Sequence, residues 1–362
     1  SRCAMAWAVD FCLAVAVQCF MLLQCGVTYL LMRWRHRRHP GVPPGLSPLQ
    51  PHNNLVSVII PAYREATTIE ATLRRIEHTV AASDRVEVIV VDAGGNDGTM
   101  DIVRRVSAEI NEQATGLSIR TDVWARGGRG PTLNAGVRAS RGGILLFLHA
   151  DTLLPDCFDA LVRRALEDHE VLATAFRFRV SRAEDTRVAA LGWMEWTVHL
   201  RSSLYELPFG DQAMAITRQR FDALGGFPDV PMMEDFELVQ ALRRAGAAGA
   251  GYIKTLDAPA TCGARRWVKN KVWWCNAMNQ VIMIAYVYFG FSPTQIYTWY
   301  YQSTPSSRST AKSPPRSPAQ QQQPATRVIS STPPPQAFQQ PHQHEGNQQH
   351  RQQKNHQSPV SR

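Results

Sequence analysis

Residues 56–65 of this 362-residue chain read VSVIIPAYRE, a β-branched apolar run that ends at a proline and is followed by an acid. A short apolar run bounded by a turn signal predicts a buried strand over 56–60. The same pattern returns as EVIVVD at residues 87–92 and as ILLFLHAD at residues 144–151. In each case an acidic side chain follows the strand within a few residues.

Helical patterns separate these strands. Capping and turn signals predict helices over 67–82, 99–110 and 132–139, the first opened by a Thr-x-x-Glu capping box at its N-terminus. Repeated strand–helix alternation predicts an α/β fold with a Rossmann-like, mainly parallel sheet flanked by helices. Ligands of such sheets bind beyond the carboxyl ends of the strands. The acids that fall there are Glu65, Asp92 and Asp151.

Two phosphate-binding motifs are absent from the sequence. The first strand is followed by PAYRE rather than a Gly-x-Gly-x-x-Gly turn, which argues against a dinucleotide-binding domain. No Gly-x-x-x-x-Gly-Lys-Ser/Thr segment occurs, so a P-loop is excluded. The glycine-rich run GGRG at residues 127–130 can approach a phosphate through its amides, although a plain loop has the same composition.

The charge of the chain is concentrated at its ends. It carries 39 Lys and Arg residues against 30 Asp and Glu residues, a formal net charge of +9. Residues 1–38 contribute +4 and residues 302–362 contribute +6, which leaves −1 on residues 39–301. Because the middle of the chain is neutral, we expect no nucleic-acid partner.

The N-terminal segment has the composition of a membrane anchor. Residues 11–32 contain no charge, and the basic run RWRHRR follows at residues 33–38. This length and flank predict a single-pass transmembrane signal anchor over 4–32 that leaves the catalytic domain in the cytosol. A cleaved signal peptide is the alternative, but its basic block would precede the apolar run.

The C-terminal part divides into two segments. Residues 271–301 are aromatic and nearly free of charge, which favours a second membrane contact near 272–291 at the interface; a buried terminal helix or a second span are the alternatives. Residues 302–362 contain 14 Gln and 10 Pro and few large apolar residues, so a disordered tail is expected. The predicted organisation is an anchor over 4–32, a basic and Pro-rich linker over 33–54, a catalytic domain over 55–270, and these two segments.

Several spaced motifs resemble family 2 glycosyltransferases of the GT-A fold. The segments that carry the resemblance are SVIIPAYRE at 57–65, VVD at 90–92, DGT at 97–99 and NAG at 134–136. Three further motifs are similar to the arsenosugar-biosynthesis-like branch of that family: LFLHADT at 146–152, GDQ at 210–212 and MED at 233–235.

The resemblance implies transfer of a sugar from a nucleoside diphosphate sugar to an acceptor hydroxyl, with inversion. A single displacement needs a general base for the acceptor and charge neutralisation for the departing diphosphate. The acidic pair Glu234 and Asp235 occupies the base position of the family, and Asp235 is our choice for the base. Two acids that complement the N-terminus of a helix over 235–245 are the alternative.

The resemblance also assigns a nucleotide-sugar site. Glu65 and Asp92 would accept hydrogen bonds from the base edge or the ribose hydroxyls. The alternative for Asp92 is a turn-forming role, which fits Asp97 better.

Other residues would surround the diphosphate and the sugar. Arg129 and Asn134 would line the diphosphate, with a solvated arginine and a capping asparagine as the alternatives. Arg266 matches only the Arg-Trp end of the family's Gln-x-x-Arg-Trp motif, and a basic pair near the membrane is its alternative. The residues expected to line the cleft are Asp211 and Gln212.

The expected metal site departs from the family pattern. The usual Asp-x-Asp is replaced by HAD at residues 149–151. One carboxylate with an imidazole is a poorer site for Mg²⁺ than two carboxylates, but it suits Mn²⁺. We expect Asp151 as a ligand of a divalent metal, Mn²⁺ or Mg²⁺, while His149 either ligates or forms a hydrogen bond near the strand end.

The sequence therefore predicts a membrane-anchored inverting glycosyltransferase whose acceptor is unknown and can be lipid-linked. A non-catalytic nucleotide-sugar-binding scaffold of the same fold is the first alternative, motivated by the weakened metal motif. A nucleotidyltransferase is the second, disfavoured because no glycine-rich triphosphate loop follows the first strand.

Overall fold

A computed structural model describes residues 2–38, 53–113, 116–125, 128–182 and 191–303. The predicted disordered tail, from residue 304 onward, lies outside the described residues, as does most of the predicted linker.

Helices and strands alternate over most of the described chain. The helices are α1 (Arg2–Arg38), α2 (Ile69–Thr79), α3 (Thr99–Glu112), α4 (Arg129–Ala139), α5 (Phe158–Leu166), α6 (Leu191–Leu204), α7 (Arg218–Ala223), α8 (Glu234–Ala247), α9 (Arg265–Asn270), α10 (Val272–Val287) and α11 (Pro293–Ser303). The strands are β1 (Val56–Ala62), β2 (Val86–Asp92), β3 (Ser118–Trp124), β4 (Ile144–Phe147), β5 (Thr152–Leu153), β6 (Val171–Val180), β7 (Ala215–Thr217) and β8 (Tyr252–Cys262).

All eight strands join one sheet in the order β3-β2-β1-β4-β7-β6-β8-β5. The N-terminal half, β3-β2-β1-β4, is entirely parallel, as the strand–helix alternation predicted. Beyond it β7 pairs antiparallel with both β4 and β6, β6 pairs parallel with β8, and β5 pairs antiparallel with β8. The predicted α/β fold is therefore confirmed, with a mixed second half.

Both faces of the sheet are buried under helices. Val58 and Ile60 point to the layer formed by α2, α3 and α5, whereas Ile59 points to the opposite layer with α4 and α8. The central strands are consequently apolar on both sides, as parallel strands require. A Cβ atom at Gly136 of α4 would lie 2.4 Å from Cγ2 of Ile59, so this position needs glycine for α4 to approach β1.

The start of α2 differs from the sequence expectation, whereas α3 begins at Thr99 as predicted. The Thr-x-x-Glu capping box is not formed: the N-cap Thr68 makes no side-chain cap bond, and Glu70 pairs instead with Arg74 and Arg105. Helix α3 has Gly98 at its N-cap, and Asp97, one residue earlier, accepts the backbone N–H of Thr99.

Helix α1 is longer than predicted and is docked on the rest of the protein. It continues to Arg38, so the basic run predicted to begin the linker is helical. Its inner face carries the buried residues Ala14, Gln18 and Met21 at helical spacing. Its outer face, defined by exposed apolar side chains, consists of Val9, Leu13, Phe20, Leu23, Val27 and Leu30.

Polar contacts fix the inner face of α1 along its length. Near its start Asp10 forms an ion pair with Lys271 at 3.0 Å. Near its end the Tyr29 hydroxyl donates to Glu206 at 3.2 Å. In the middle Thr197 of α6 donates to Gln18 at 2.9 Å. The 19 residues between Asp10 and Tyr29 correspond to about 28 Å of helix, so α1 lies against the domain over a length similar to a hydrocarbon core.

The aromatic segment after β8 forms two helices that are too short to span a membrane. Helix α10 has 16 residues and α11 has 11, and residues 288–292 separate them. Among the described residues, α1 is the one helix with a length and composition that would allow it to cross a bilayer. The aromatic and apolar side chains that this segment exposes include Trp274, Tyr288, Phe289, Phe291, Tyr297 and Trp299.

A buried carboxylate ties the starts of the central strands together. Oε1 of Glu87 on β2 accepts the Ser57 hydroxyl of β1 at 2.6 Å and the Gly142 amide before β4 at 3.1 Å, and Oε2 lies 3.4 Å from Nε of Arg141. Burial alone would raise the pKa of Glu87, but the hydrogen bonds from Ser57 and from the backbone of Arg141 outweigh it and lower the pKa below its usual value.

We expect Glu87→Gln to lower the free energy of unfolding at neutral pH by about 1–3 kcal/mol, because charge-assisted hydrogen bonds to three partners are weakened. A depressed carboxyl pKa contributes stability that is present above the unfolded-state pKa of about 4.3 and lost as pH falls through the folded-state value. The difference between variant and wild type should therefore shrink below about pH 4.

Urea denaturation at several pH values measures this difference, with the exposed Glu112→Gln on α3 as the matched control. A Glu87→Gln deficit that stays constant down to acid pH would contradict the assignment.

Candidate active site

The predicted acids lie at one edge of the sheet. Strands β2, β1 and β4 are adjacent and parallel, so their carboxyl ends share an edge. Asp92 is the last residue of β2, Glu65 follows β1, and Asp151 follows β4. The topology thus brings together three residues that are far apart in sequence.

Glu65 and Asp151 share a cation that the sequence did not indicate. The guanidinium of Arg265, on α9, lies 2.8 Å from Oε2 of Glu65 and 3.8 Å from Oδ2 of Asp151. Burial raises the pKa of Asp151, as does the nearby Glu65 carboxylate, while Arg265 opposes the rise. Sequence reasoning considered Arg266 instead, since only the orientation of α9 decides which of the two arginines faces the acids.

Arg266 points elsewhere. Its guanidinium donates to Asn279 of α10 at 2.8 Å, so it joins α9 to α10. Its charge nevertheless lies close enough to Asp211 to favour the ionised form of that carboxyl.

Asp92 forms a local turn at the edge of the site. Its Oδ1 accepts the Gly94 amide at 2.8 Å, which fixes the segment after β2. Asp97 plays a similar role, accepting the Thr99 hydroxyl at 2.6 Å and the Ala66 amide at 3.2 Å. The Asp97 contact joins the loop after β1 to the start of α3, so both acids shape the loops around the cleft.

The N-termini of α4 and α8 meet through an ion pair. Nε of Arg129, the first residue of α4, lies 3.2 Å from Oε1 of Glu234, the first residue of α8. The preceding residue, Met233, has a left-handed conformation with φ of 71°, which turns the chain into α8. Such a conformation is costly for a side chain of this size and is typical of functional sites.

Asp235 is held in place by two backbone amides. Its Oδ2 accepts the Gly210 amide at 2.8 Å, and its Oδ1 accepts the amide of Phe236 at 2.8 Å. A Cβ atom at Gly210 would lie 2.6 Å from a guanidinium nitrogen of Arg129, 3.1 Å from Oδ2 of Asp235 and 3.1 Å from Nε2 of His149. Glycine at 210 therefore allows these three side chains to converge on one point, and a small cavity between them borders Asp235.

Nε2 of the half-buried His149 is itself buried and has no hydrogen-bond partner among the described residues. Burial lowers the pKa of His149 well below its usual value, and the charge of Arg129 adds to the effect. The imidazole is therefore neutral near neutral pH. His149 and Asp151 have different neighbours. His149 lies beside Gly210, whereas Asp151 contacts Arg265.

Asp211 is a half-buried carboxyl in the same region. Its Oδ1 is buried and has no hydrogen-bond partner within the described part of the chain. Burial raises the pKa of Asp211, the charge of Arg201 lowers it and the charge of Asp235 raises it. Arg201 is a buried arginine of α6, and the sequence analysis did not single it out because nothing in the α6 sequence marks it as inward-facing.

Two residues predicted to belong to the nucleotide-sugar site use their side chains for hydrogen bonds within the protein. The Asn134 amide donates to the carbonyl of Phe227 at 2.8 Å and accepts the Phe227 amide at 3.1 Å. Gln212 is fully buried, accepts the hydroxyl of Ser202 and donates to the carbonyl of Phe176 at 3.0 Å. Asn134 therefore holds the segment before α8, and Gln212 holds the turn that presents Gly210; a place for either residue along the cleft stays a prediction.

The described residues contain no group of three or more His, Cys, Asp or Glu side chains arranged to hold a metal. The single carboxylate of Asp151 is nevertheless compatible with Mg²⁺ or Mn²⁺. Such ions commonly take one or two carboxylates and complete their shell with water and substrate phosphates.

The chain carries a glycosyltransferase family 2 domain. The model of "Glycosyl transferase family 2" matches residues 57–225, which include β1 to β7 and the strand-end acids. The fold is GT-A, as the resemblance of the motifs implied.

Relatives of known sequence are similar over the same region. "Probable glycosyltransferase YdaM" of Bacillus subtilis is 28% identical over 237 residues, 60% of this chain and 52% of that protein. An undecaprenyl-phosphate 4-deoxy-4-formamido-L-arabinose transferase of Aeromonas hydrophila is 27% identical over 177 residues, 47% of this chain and 51% of that protein. The chain thus spans about half the length of these relatives.

A mannosyltransferase of Pyrobaculum calidifontis, solved with GDP-mannose and Mn²⁺, is 21% identical with a TM-score of 0.49; the match covers 80% of this chain and 81% of that one.

The burial of Glu234 leads us to predict an unusual pH dependence of the protein's stability. Burial raises the pKa of Glu234 to about 7, while Arg129 opposes the rise. A carboxyl whose folded-state pKa is raised loses stabilisation as pH increases from its unfolded-state value of about 4.3 to about 7. We expect the melting temperature to contain a component that falls across this range, and Glu234→Gln to remove it.

Differential scanning fluorimetry of both proteins from about pH 5 to about pH 8 measures the component. Equal pH profiles of wild type and Glu234→Gln would refute the raised pKa.

Proposed function

We propose that the protein is an inverting glycosyltransferase that moves a sugar from a nucleoside diphosphate sugar to an acceptor hydroxyl, with Asp235 as the general base. The observation that carries the proposal is the position of Asp235: a carboxylate oriented by the Gly210 amide, beside Arg129 and at the edge where the strand-end acids meet. The family 2 match supports the same activity.

Each group has a chemical role in a single displacement. The Asp235 carboxylate takes the proton of the attacking hydroxyl, and the two backbone amides fix its direction. Arg129 supplies positive charge near the departing diphosphate. The Arg129–Glu234 pair sets the position of that guanidinium, so Glu234 acts as a positioning residue.

The donor's nucleoside is assigned to the outer part of the same edge. Glu65 and Asp92 present carboxylates to base and ribose hydroxyls, with Arg265 fixing the Glu65 side chain. A divalent ion at Asp151 would neutralise diphosphate charge, and Mn²⁺ or Mg²⁺ suits its single carboxylate. Neutral His149, placed toward Gly210 and Asp235, is assigned to the sugar end of the site.

Within the family we assign the chain to the arsenosugar-biosynthesis-like branch, on its HAD, GDQ and MED motifs. Relatives that transfer a sugar to undecaprenyl phosphate support a lipid-linked acceptor.

We also infer that the protein acts at a membrane through α1. The sequence predicted a single-pass helix with a cytosolic domain. The contacts of α1 favour a different arrangement, because a crossing helix would carry Lys271 and Glu206 to opposite depths of the bilayer. We propose that the outer face of α1 and the exposed aromatic side chains of α10 and α11 enter one leaflet from the cytosolic side.

Asp235→Asn should lower turnover by about a hundredfold or more, because general-base catalysis typically contributes a factor of about 10²–10⁴. Donor hydrolysis and transfer are measured with purified protein, a panel of nucleotide sugars, and Mn²⁺ or a chelator. The control is Asp229→Asn, a matched change at an exposed aspartate on the segment before α8.

Retained wild-type turnover in Asp235→Asn would reject the base. Binding of donor without any turnover by the wild type would favour the scaffold alternative.

The leaflet arrangement predicts that Leu23→Glu releases the protein from liposomes, because Leu23 is 68% exposed at the centre of the outer face. Flotation measures the release, and Leu161→Glu on α5, outside the proposed membrane face, is the control. A tag placed before residue 1 should be cleaved by external protease together with a site inserted in residues 40–50. Protection of that tag until detergent is added would show that α1 crosses the bilayer.

A further inference from the structure

A second pocket lies between α1 and the domain, on the other side of the Phe209–Gln212 turn from the candidate active site. Its apolar wall includes Met21 of α1, Met283 and Val287 of α10. The pocket is a cavity of about 30 Å³ that is partly open to solvent.

Two buried arginines line this pocket. Arg201 of α6 is 4% exposed and Arg243 of α8 is 2% exposed. Nε of Arg201, and both Nε and one terminal nitrogen of Arg243, are buried without a hydrogen-bond partner. Burial lowers the pKa of both guanidinium groups, although arginine stays protonated in proteins.

The protein does not neutralise these charges by direct ion pairs within its described residues. Arg201 donates to the neutral Gln212 and stacks on the Phe209 ring at 3.8 Å. Arg243 donates weakly to Gln240 at 3.4 Å, and its charge lies near Glu206. The Glu206 carboxylate is itself committed to Tyr29 and to the amide of Ile253.

Burying a charged group whose N–H donors lack acceptors costs free energy, unless a ligand supplies the acceptors and the opposite charge. Guanidinium groups with free N–H donors match the oxygens of a phosphate or a carboxylate, and a phosphate offers them more acceptor oxygens. The same pocket has apolar walls that include Met21, Met283 and Val287, so the complementary ligand has an anionic head and an apolar chain.

The pocket also adjoins the proposed base. Phe209 and Phe236 line it, and they are the sequence neighbours of Gly210 and Asp235. A head group held by Arg201 and Arg243 would therefore lie directly behind the Gly210–Asp235 contact.

We propose that this pocket, between α1, α6, α8 and α10, binds the phosphate group of an amphiphilic lipid phosphate, through Arg243 and Arg201. The binding of this lipid goes beyond the proposed function and does not rest on it.

The test titrates the full chain, in neutral detergent and without nucleotide, with dodecyl phosphate as the probe and inorganic phosphate in a parallel titration. We expect dodecyl phosphate to bind to the wild type, and inorganic phosphate to bind at least about tenfold more weakly. Arg243→Met should weaken the binding of dodecyl phosphate at least about tenfold, which corresponds to about 1.4 kcal/mol. Arg243→Lys should retain part of the affinity because it keeps the charge.

Arg220→Met is the matched control. Nε of the equally buried Arg220 also lacks a partner among the described residues, but its two terminal nitrogens donate to the carbonyls of Val171 and His169 and it lies outside the pocket lining. Its loss should therefore lower the melting temperature and leave dodecyl phosphate binding unchanged. Arg243→Met should keep or raise the melting temperature, since it removes a buried charge with unused donors.

Three results would overturn the proposal: no binding of dodecyl phosphate by the wild type, equal affinity for inorganic phosphate, or unchanged affinity in Arg243→Met. Because the titration contains no nucleotide, absence of glycosyl transfer would refute the proposed function and leave this binding result standing.

Discussion

The guanidinium of Arg129 lies among the acidic groups of the candidate site, and the arrangement of that site depends on it. It pairs with Glu234 and lies close enough to Asp151 and Asp211 to favour their ionised forms, while it disfavours a charged His149. Without this cation, the three carboxyl groups of Glu234, Asp151 and Asp211 would lose a shared source of charge compensation. Because Arg129 begins α4 and Glu234 begins α8, the same contact joins two helices that pack on one face of the sheet.

The site is assembled from rigid parts and from backbone rather than from flexible side chains. The Glu87 network fixes the starts of β1, β2 and β4, so the opposite ends of these strands are fixed as well. Gly210 then presents its amide to Asp235, and Gln212 holds the turn in place from below. The left-handed Met233 directs α8 toward that turn. A carboxylate positioned in this way needs little reorganisation to act as a base, which is the condition for electrostatic preorganisation.

Helix α1 takes part both in the proposed membrane contact and in the pocket behind the proposed base. Its inner face completes the wall of a pocket that contains two arginines with unused donors, and its outer face is apolar. An anchor that merely tethered the domain would need neither buried polar contacts nor a pocket. The docked helix instead supports an arrangement in which the proposed membrane face and the pocket behind the proposed base are parts of one structure.

The sequence by itself determined the strands β1, β2 and β4, their acidic ends and the apolar length of α1, because these depend on local patterns with periods of two and 3.6 residues. It could not determine which side of a helix faces the cleft, since that follows from packing. Arg265 rather than Arg266 faces Glu65 because of the orientation of α9, Asn134 and Gln212 turn inward to satisfy buried backbone groups, and Arg201 and Arg243 become buried only when α1 covers them. The position of each side chain relative to distant elements was therefore decided by the tertiary structure alone.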